Sequence, residues 1–438
     1  MEWQLPLLLI FGSMLIMMAT GMPIAFAFLS VVVVGAFVLF GGRVGLDQMI
    51  LGIYSSLTTF TLLPIPLFIL MGELMVHSGI ALNIIDVLNK WLGRLPGRLG
   101  LLAVTGGTLL STLTGASMAS TATLGAVLVP EMEKRGYQKP MSLGPILGSG
   151  GLAIMIPPSA LAIILGAIGE ISIGRILVAI IIPGMCMALL YAAYIVLACV
   201  LKPDYAPSYV VDATPLSEKL MGFVKYVLPT GIIIFLVIGL IFLGVATPSE
   251  SAASGTVGML IVISFYRRLS WDLIKKAMTG TLKITGMVFM IIAGSQVFSQ
   301  ILSFSGATQG LVEYSLNLKI SPILLIIAMQ IVIMVMGAFM DPVGIMMITL
   351  PVFVPFIRTL GFNDVWFATI VLLNIEMAMV TPPFGMCLFV MKGVAPPDTT
   401  MGDIYKAVIP FLVCDLIVMI LILAIPELAL WLPGLGMK

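Results

Sequence analysis

The sequence predicts an all-α polytopic membrane protein built as an inverted repeat, in which each copy carries one re-entrant hairpin and one broken helix. Three observations lead to this fold class. First, 60% of the 438 residues are hydrophobic and only 9% are charged, whereas a soluble domain carries about 25% charged residues. Second, apolar runs of about 20 residues, each long enough to span a bilayer, recur along the chain. Third, runs rich in Ser, Thr and Gly interrupt apolar segments at similar places in both halves.

Residues 1–57 are predicted to hold N-terminal scaffold helices, and a first repeat follows at residues 58–201. The predicted spans of this region are Leu5–Ala19, Met22–Phe40 and Thr58–Val76. Pro64 and Pro66 are expected to kink the third span, because proline removes a helical hydrogen bond. Ile80–Leu95 alternates apolar and charged residues, which is typical of an amphipathic helix at the membrane interface.

Residues 97–133 are predicted to form the first re-entrant hairpin, with its tip at Gly115–Ser120. The segment before the tip is too short and glycine-rich for a comfortable span. Basic residues flank the hairpin on both sides, namely Lys90, Arg94, Arg98, Lys134, Arg135 and Lys139. Because basic loops mark the cytoplasmic side, both ends of the hairpin are expected there. Such a hairpin is tolerated in lipid only when it is packed against protein.

A broken helix is predicted at residues 142–171, with its break at Ile156-Pro157-Pro158, and the span Ile176–Leu201 follows. Residues 202–226 carry three acids and three bases and are interpreted as a solvated cytoplasmic linker between the halves. Residues 227–281 are predicted to form two more scaffold helices, Val227–Ala246 and Glu250–Tyr266, and a basic interfacial arm.

The second repeat, residues 282–438, is predicted to follow the same order. Its elements are the span Leu282–Ile301, a hairpin at 321–359 tipped at Gly337–Gly344, a broken helix at 366–391 and the last span Tyr405–Leu430. The flanks of this hairpin are poor in basic residues, so its ends are expected outside. About ten full spans and two hairpins then leave both termini outside, with Arg175 as the one exception to the charge rule.

Self-comparison of the sequence supports the repeat. The matching positions, given as first and second copy, are Gly72 and Gly294, Gly115 and Gly337, Gly136 and Gly361, and Pro157 and Pro382. In the first copy, the basic residues follow the first helix. In the second copy, they precede the first helix. The two copies are therefore expected to cross the membrane in opposite directions. Inverted repeats with discontinuous helices at the midplane are typical of secondary transporters.

The first tip and the first break offer hydroxyl and carbonyl oxygens in apolar surroundings. Oxygen ligands suit Na⁺, which is a hard cation. The candidate ligands of a first sodium site are Ser117, Ser120, Ser149, Gly150 and Pro157. The alternative is that these small residues only permit close packing of helices.

The second tip and the second break predict a second sodium site. Its candidate ligands are Gly337, Asp341, Thr381 and Pro382. A site for an anionic solute is predicted where the N-termini of half-helices meet, because helix N-termini favour negative charge. The candidate solute-binding residues are Ser120, Thr121, Thr123 and Thr381, with Asn374 and Glu376 as possible support. Proton coupling is the alternative role for Glu376. Kinks without ligands are the alternative for both breaks.

Other reactive residues exclude several classes of function. Glu73 and Asp415 lie in or beside apolar runs and are expected at an interface or against a packing partner, whereas Asp341 at a hairpin tip is expected to contact a cation. The four cysteines and the single histidine, His77, form no transition-metal pattern. No GxxxxGK[ST] motif and no nucleophile–base pattern predicts an enzyme. The net charge of +1 argues against a nucleic-acid partner, and no cleavable signal peptide is expected.

With these residues identified, the chain resembles the large membrane subunit of tripartite ATP-independent periplasmic (TRAP) transporters. The motifs that carry the resemblance are TGASMASTATLGAVLVPEM, GSGGLAIMIPPSA, PLFILMGELM and MAMVTPPFGMCLFV. The resemblance implies elevator-type ion-transporter-superfamily architecture and Na⁺-driven import of an organic acid anion, such as a C4-dicarboxylate or sialic acid, across a bacterial inner membrane. It implies two partners: a periplasmic substrate-binding protein and a small membrane subunit of about four helices. The small subunit is expected as a separate chain, because this chain begins directly at the large one.

The resemblance also bears on the site residues. Ser117 and Ser120 match the first hairpin of the family's sodium pattern, and Gly337, Asp341 and Thr381-Pro382 match its second half. Lys392, just beyond the second break, is a candidate partner for a solute carboxylate. Three alternatives stay open: a stand-alone Na⁺/dicarboxylate symporter, a channel lined by the broken helices, and a membrane scaffold.

Overall fold

The computed structural model describes residues 3–93, 95–114, 117–207, 215–317 and 320–436, and the regular elements in these ranges are helices. Six helices are long and apolar enough to cross a membrane, or seven if one bent pair counts as a single span, and three further apolar helices are shorter. The described part of the chain is therefore an all-helical, multi-span membrane protein. The direction in which each helix crosses stays a prediction.

The N-terminal region contains five helices, which are Gln4–Ala19, Ile24–Leu39, Arg43–Leu57, Pro64–Ser78 and Ile80–Trp91. Arg43–Leu57 occupies a stretch in which no element is predicted. The kink expected at Pro64 and Pro66 is wrong. Both prolines lie in the first turn of Pro64–Ser78, where a backbone N–H has no helical acceptor to lose.

The first hairpin and the first broken helix lie close to their predicted positions. The hairpin consists of Arg98–Thr114 and Ser117–Lys134, and the tip residues Gly115 and Ala116 fall outside the described ranges. The broken helix has a long limb, Lys139–Met155, and a short limb, Ala160–Ile168, with a bend of 43° between them. The predicted break is therefore confirmed. Ser159 begins the short limb by accepting a hydrogen bond from the Ala162 amide at 3.3 Å.

The middle of the chain departs from the predicted linker. After helices Ile173–Ala179 and Ile181–Leu201, a continuous helical segment begins at Leu216 and runs to Phe242, so the predicted linker at 202–226 is too long. This segment contacts the amphipathic helix through one charged side chain and one backbone carbonyl. Lys90 pairs with Glu218, and the Trp91 indole donates to the Lys219 carbonyl at 3.3 Å.

The next helices are Pro248–Phe265, Trp271–Phe304 and Ala307–Asn317. Trp271–Phe304 is a single helix of 34 residues, so the predicted boundary between an interfacial arm and a span at residue 282 does not exist. The lysines near its start lie on an exposed surface, where Lys276 pairs with Asp272 at 2.7 Å. Ala307–Asn317 lies where no helix is predicted.

The second half then repeats the order of elements seen in the first. The second hairpin consists of Pro322–Gly337 and Pro342–Thr359, and the second broken helix has a long limb, Asp364–Val380, and a short limb, Met386–Val394. The chain continues with Met401–Ala424 and Glu427–Gly436. The Pro-Pro peptide bond is cis in both breaks.

The hairpins and broken helices pack across the two halves. The second helix of each hairpin contacts the short limb of the opposite broken helix, and the two long limbs contact each other. This arrangement brings the start of Ser117–Lys134 against residues from both long limbs. The candidate site lies at this junction.

Candidate functional site

The first hairpin tip places three hydroxyl side chains in the protein interior. Ser117, Ser120 and Thr121 lie in the first turns of Ser117–Lys134 and are all buried. Thr121 and the backbone of Ser117 face the glycine run of the first long limb. A Cβ atom on Gly150 would collide with Thr121 Oγ1 and would lie 3.3 Å from the Ser117 carbonyl oxygen. Glycine is therefore required at 150 for the hairpin to approach this closely.

A carboxylate from the second half completes this cluster. Ser117 Oγ donates to Glu376 Oε2 at 3.1 Å, and Glu376 is only 1% exposed. Gly151 makes room for the acid, since a Cβ there would lie 2.6 Å from the Glu376 carboxyl carbon. The second carboxylate oxygen, Oε1, is buried and has no hydrogen-bond partner among the described residues.

The cluster contains an acidic side chain and lies in segments without basic residues. No Lys or Arg occurs in residues 99–133, 140–174, 320–357 or 359–391, which together hold both hairpins and both broken helices apart from their ends. A buried carboxylate without a compensating cation is costly. The arrangement can lower this cost by binding a cation or a proton at Glu376.

The other candidates for the first sodium site are buried but are held differently. Ser149 Oγ donates to the Ile146 carbonyl at 3.2 Å and lies against Gly107 of the hairpin. Pro157 is buried in the break. The carbonyl oxygen of Met155, at the start of the break, lies against Gly184, where a Cβ would collide with it. The structure thus brings Ser117, Thr121 and Gly150 together, with the break one turn or more away along the same limb.

The second tip is organised around Asp341. Its carboxylate caps the helix Pro342–Thr359 by accepting from the amides of Val343 at 3.1 Å and Gly344 at 3.2 Å. Asp341 and Gly337 line a cavity of about 490 Å³. The aromatic rings of Phe339 and Phe384 line the same cavity, with their centroids 5.6 Å apart.

The second break closes partly on itself. Thr381 Oγ1 donates to the Met377 carbonyl at 2.6 Å, and the Thr381 carbonyl accepts from the Gly385 amide at 3.1 Å. Pro382 is half-buried in this turn. Gly337 reaches the same limb, because a Cβ there would collide with Ala378. The second tip and the second break are therefore neighbours.

The remaining candidates have structural partners. Asn374 donates to the backbone oxygen of Gln330 at 2.6 Å and to its side-chain oxygen at 2.9 Å, which ties the long limb to the second hairpin. Thr123 is half-buried on the first hairpin. Lys392 donates to the Thr399 carbonyl. Glu73 pairs with His77 at 3.2 Å within one helix.

Tyr191 is the residue that sequence reasoning misses. Its hydroxyl donates to Asp415 Oδ1 in the fully buried interior, and Asp415 is close enough to Glu376 for their charges to interact. No spacing in the sequence links positions 191 and 415. In the described ranges, His, Cys, Asp and Glu side chains form no group of three that could hold a metal ion.

Comparison with known proteins identifies the family. Residues 11–428 match the family model "Tripartite ATP-independent periplasmic transporter, DctM component". The chain is similar to the C4-dicarboxylate TRAP transporter large permease protein DctM of Pseudomonas aeruginosa, with 30% identity over 88% of this chain and 89% of the relative. It is also similar to the ectoine TRAP transporter large permease protein TeaC of Halomonas elongata, with 27% identity over 98% and 99% of the two chains.

Two further matches extend the comparison. The sialic acid TRAP transporter large permease protein SiaM of Vibrio cholerae is 27% identical over 97% of this chain and 98% of the relative. Among solved structures, the YdaH transporter of Alcanivorax borkumensis covers 91% of this chain and 90% of its own, with a TM-score of 0.62 and 13% identity, and so shows a shared fold. The chain therefore belongs to the DctM-component family of TRAP transporters, and it is a large permease subunit, a membrane transport protein and not an enzyme.

Proposed function

We propose that this permease uses a Na⁺ gradient to import a small organic acid anion across a bacterial inner membrane. A periplasmic substrate-binding protein delivers the solute, and a separate small membrane subunit completes the permease. The names of two relatives support this class of solute, since they specify a C4-dicarboxylate and a sialic acid, whereas a third specifies ectoine, which is a zwitterion. One charge moving down 100 mV supplies about 2.3 kcal/mol, so two or more ions could drive accumulation without ATP.

The observation that carries the Na⁺ coupling is the unpartnered oxygen of Glu376. A Na⁺ ion at Oε1 would neutralise a carboxylate that, among the described residues, accepts a side-chain hydrogen bond from Ser117 and from no other group. The Ser117 hydroxyl and the hydroxyls of Ser120 and Thr121 would supply further oxygens, and the carbonyls of Ser149, Gly150 and Pro157 remain candidates from the first long limb and its break. Oxygen ligands in this number suit a hard cation.

A second ion is proposed at the second tip. Asp341 there has one oxygen engaged by two amides, and Gly337 and Asp341 line the same cavity. Thr381 and Pro382 contribute from the neighbouring break. The solute carboxylate would lie between the tips, against the hydroxyls of Ser120, Thr121, Thr123 and Thr381 and the positive end of Ser117–Lys134. Lys392 is a poor partner for it, because its ammonium is already held by Thr399.

The transport movement is proposed to be an elevator. The hairpins and broken helices would form the moving body of an inverted repeat, and the other helices would form the scaffold that contacts the small subunit and lipid. Their order in the two halves and their packing across the halves support this division. The two ends of the first hairpin would then lie on the cytoplasmic side, those of the second hairpin on the periplasmic side, and both termini would be periplasmic.

Uptake into proteoliposomes tests the proposal. The full chain, with and without its small subunit, is assayed against a panel of binding proteins loaded with labelled solutes, with and without an inward Na⁺ gradient. We expect uptake only with a cognate binding protein, the small subunit and Na⁺. Uptake by this chain alone would establish the stand-alone symporter instead, and currents far above carrier rates in a planar bilayer would establish a channel.

Matched variants separate transport from a scaffold role. Ser120→Ala and Asp341→Ala should each lower Na⁺-driven uptake at least about tenfold, the effect of losing about 1.4 kcal/mol of ion or solute binding. Ser254→Ala is the control, because the Ser254 hydroxyl donates to the Ser251 carbonyl within its own helix, which packs chiefly on Pro64–Ser78. Equal uptake by all three variants would leave the scaffold interpretation standing.

A further inference from the structure

The ends of the two hairpins carry a second repeated pattern. Each hairpin's second helix ends in a turn at a glycine with positive φ, Gly136 at 79° and Gly361 at 76°. Positions 133 and 139 around the first turn correspond, 225 residues later, to positions 358 and 364 around the second. The first pair is Glu133 and Lys139.

The first pair reaches beyond its own turn. Lys139 Nζ contacts Glu133 Oε1 at 2.7 Å, Asp398 Oδ2 at 2.9 Å and Thr399 Oγ1 at 2.8 Å. Asp398 and Thr399 belong to the loop that follows the short limb Met386–Val394. We call Glu133, Lys139, Asp398 and Thr399 the first clasp. It joins the first hairpin to the opposite broken helix.

The second pair is Arg358 and Asp364, so the base now precedes the turn and the acid follows it. This pair also reaches beyond its own turn. Arg358 Nε contacts Asp364 Oδ2 at 2.8 Å, and Arg358 Nη2 donates to the carbonyls of Gly169 and Glu170, each at 3.3 Å. These carbonyls end the short limb Ala160–Ile168, where a cation is favoured by the helix dipole. We call Arg358, Asp364, Gly169 and Glu170 the second clasp.

The two clasps carry opposite charges at corresponding positions. An acid at 133 and a base at 139 become a base at 358 and an acid at 364, yet each position still pairs with its mate across the turn. In both clasps the cation also makes the contact to the opposite broken helix. The contact to the opposite half therefore starts from the long limb in the first clasp, at Lys139, and from the hairpin in the second clasp, at Arg358. What the two clasps share is a pair across the turn whose cation also reaches the end of the opposite short limb.

Close packing lies beneath the first clasp. A Cβ on Gly125, in the second helix of the first hairpin, would lie 2.7 Å from Val394 Cγ2 and 3.6 Å from Met391 Sδ. The hairpin therefore rests directly on the short limb that leads into the clasp loop. The second hairpin contacts the short limb Ala160–Ile168 in the corresponding way.

We propose that the two clasps fasten each hairpin to the short limb of the opposite broken helix, so that both hairpins and both broken helices move as one rigid body and neither hairpin swings open as a gate. Lys139 and Arg358 are positioning residues in this arrangement. The proposal rests on the proposed transport function, since it specifies how the solute and ion sites are carried across the membrane.

A disulfide across the first hairpin interface tests rigidity directly. Gly125→Cys and Val394→Cys are introduced into a chain whose four native cysteines are replaced by alanine. A Cβ at position 125 would lie 2.7 Å from Val394 Cγ2, which puts the two positions within the short reach of a disulfide. Uptake by the reduced protein reports on the proposed function alone. We expect the oxidised protein to keep at least about half of the reduced protein's uptake. Loss of uptake on oxidation with recovery on reduction would overturn the rigid body, because it would show that the hairpin must separate from the limb.

Hydrogen exchange tests the clasp without requiring transport. In the full chain in nanodiscs, Lys139→Met should raise amide exchange in Met386–Val394 and in Ser117–Lys134 about tenfold, and Lys139→Arg should restore protection. Lys134→Met is the matched control, because Lys134 is an exposed lysine one turn away. Exchange in Lys139→Met equal to that in Lys134→Met would refute the fastening role of the first clasp.

Discussion

Gly151→Ala should disable the candidate site while leaving the fold in place. The new Cβ would lie 2.6 Å from the Glu376 carboxyl carbon and 3.0 Å from its Cγ. Carbon atoms in contact are normally about 3.5–4.0 Å apart. The carboxylate must therefore move by about 1 Å, which would stretch the Ser117–Glu376 hydrogen bond from 3.1 Å to a length at which it no longer forms.

The size of the effect follows from these contacts. A hydrogen bond to a charged acceptor contributes about 1.5–3 kcal/mol, and overpacking a tight interior costs about 1–3 kcal/mol. Taking about 2–4 kcal/mol as the loss in ion binding, the Na⁺ concentration for half-maximal uptake should rise roughly 30- to 1000-fold.

The assay is the Na⁺ dependence of solute uptake in proteoliposomes at fixed binding-protein concentration. Gly106→Ala is the control, because its Cβ would meet only Ile85 Cγ1 at an ordinary 3.6 Å. Adding Glu376→Asp to Gly151→Ala shortens the acid by one methylene and should recover part of the Na⁺ affinity. Equal Na⁺ dependence of uptake in Gly151→Ala and Gly106→Ala would contradict this prediction.

Three further predictions address other parts of the molecule. Asp341→Asn keeps a side-chain oxygen that can cap the helix, so thermal stability should be unchanged. Because the carboxylate charge is lost, Na⁺-driven uptake should fall at least about tenfold. A matching fall in stability would assign Asp341 to folding alone. Tyr191→Phe removes the donor to the buried carboxylate of Asp415, so thermal unfolding in detergent should show a loss of about 1–3 kcal/mol, and an unchanged transition would contradict this. The hydrogen bond from Lys139 lowers the pKa of Asp398, so its stabilisation is present above the usual aspartate pKa of about 4 and is lost as the pH falls through the lowered value. The stability difference between the native chain and Asp398→Asn should therefore shrink below about pH 4, and a constant difference would argue against the pairing.

Local chemistry made the broken helices predictable from the sequence. Pro157-Pro158 and Pro382-Pro383 each end a long limb within a residue or two of the predicted break, because proline cannot continue a helical hydrogen-bond ladder. Local composition gave a wrong prediction where a segment is held by residues that are distant in the sequence. The segment beginning at Leu216 is polar enough to suggest a loop, but Lys90 and Trp91, 128 residues earlier, supply its contacts.

The candidate site shows the same limit. Glu376 is identifiable as an acid in an apolar run, and Ser117 as a hydroxyl at a tip, but their contact joins residues 259 positions apart. Tyr191 and Asp415 are separated by 224 positions. The sequence therefore supplies the groups, while the choice of partner depends on how the two halves pack.

This choice of partner explains why a transporter would place an acid at this junction without a basic residue. A fixed Lys or Arg beside Glu376 would satisfy the carboxylate permanently, and the empty site would then be as stable as the loaded one. Within the described ranges Oε1 has no partner, so ionising Glu376 in an empty site would be costly, and a cation or a proton would remove that cost. Ser117 and Glu376 lie in opposite halves, so this junction forms only where the two halves are packed together. In the proposed mechanism, an arriving ion would stabilise the packed body in which the clasps hold both hairpins, and this would link ion binding to movement across the membrane.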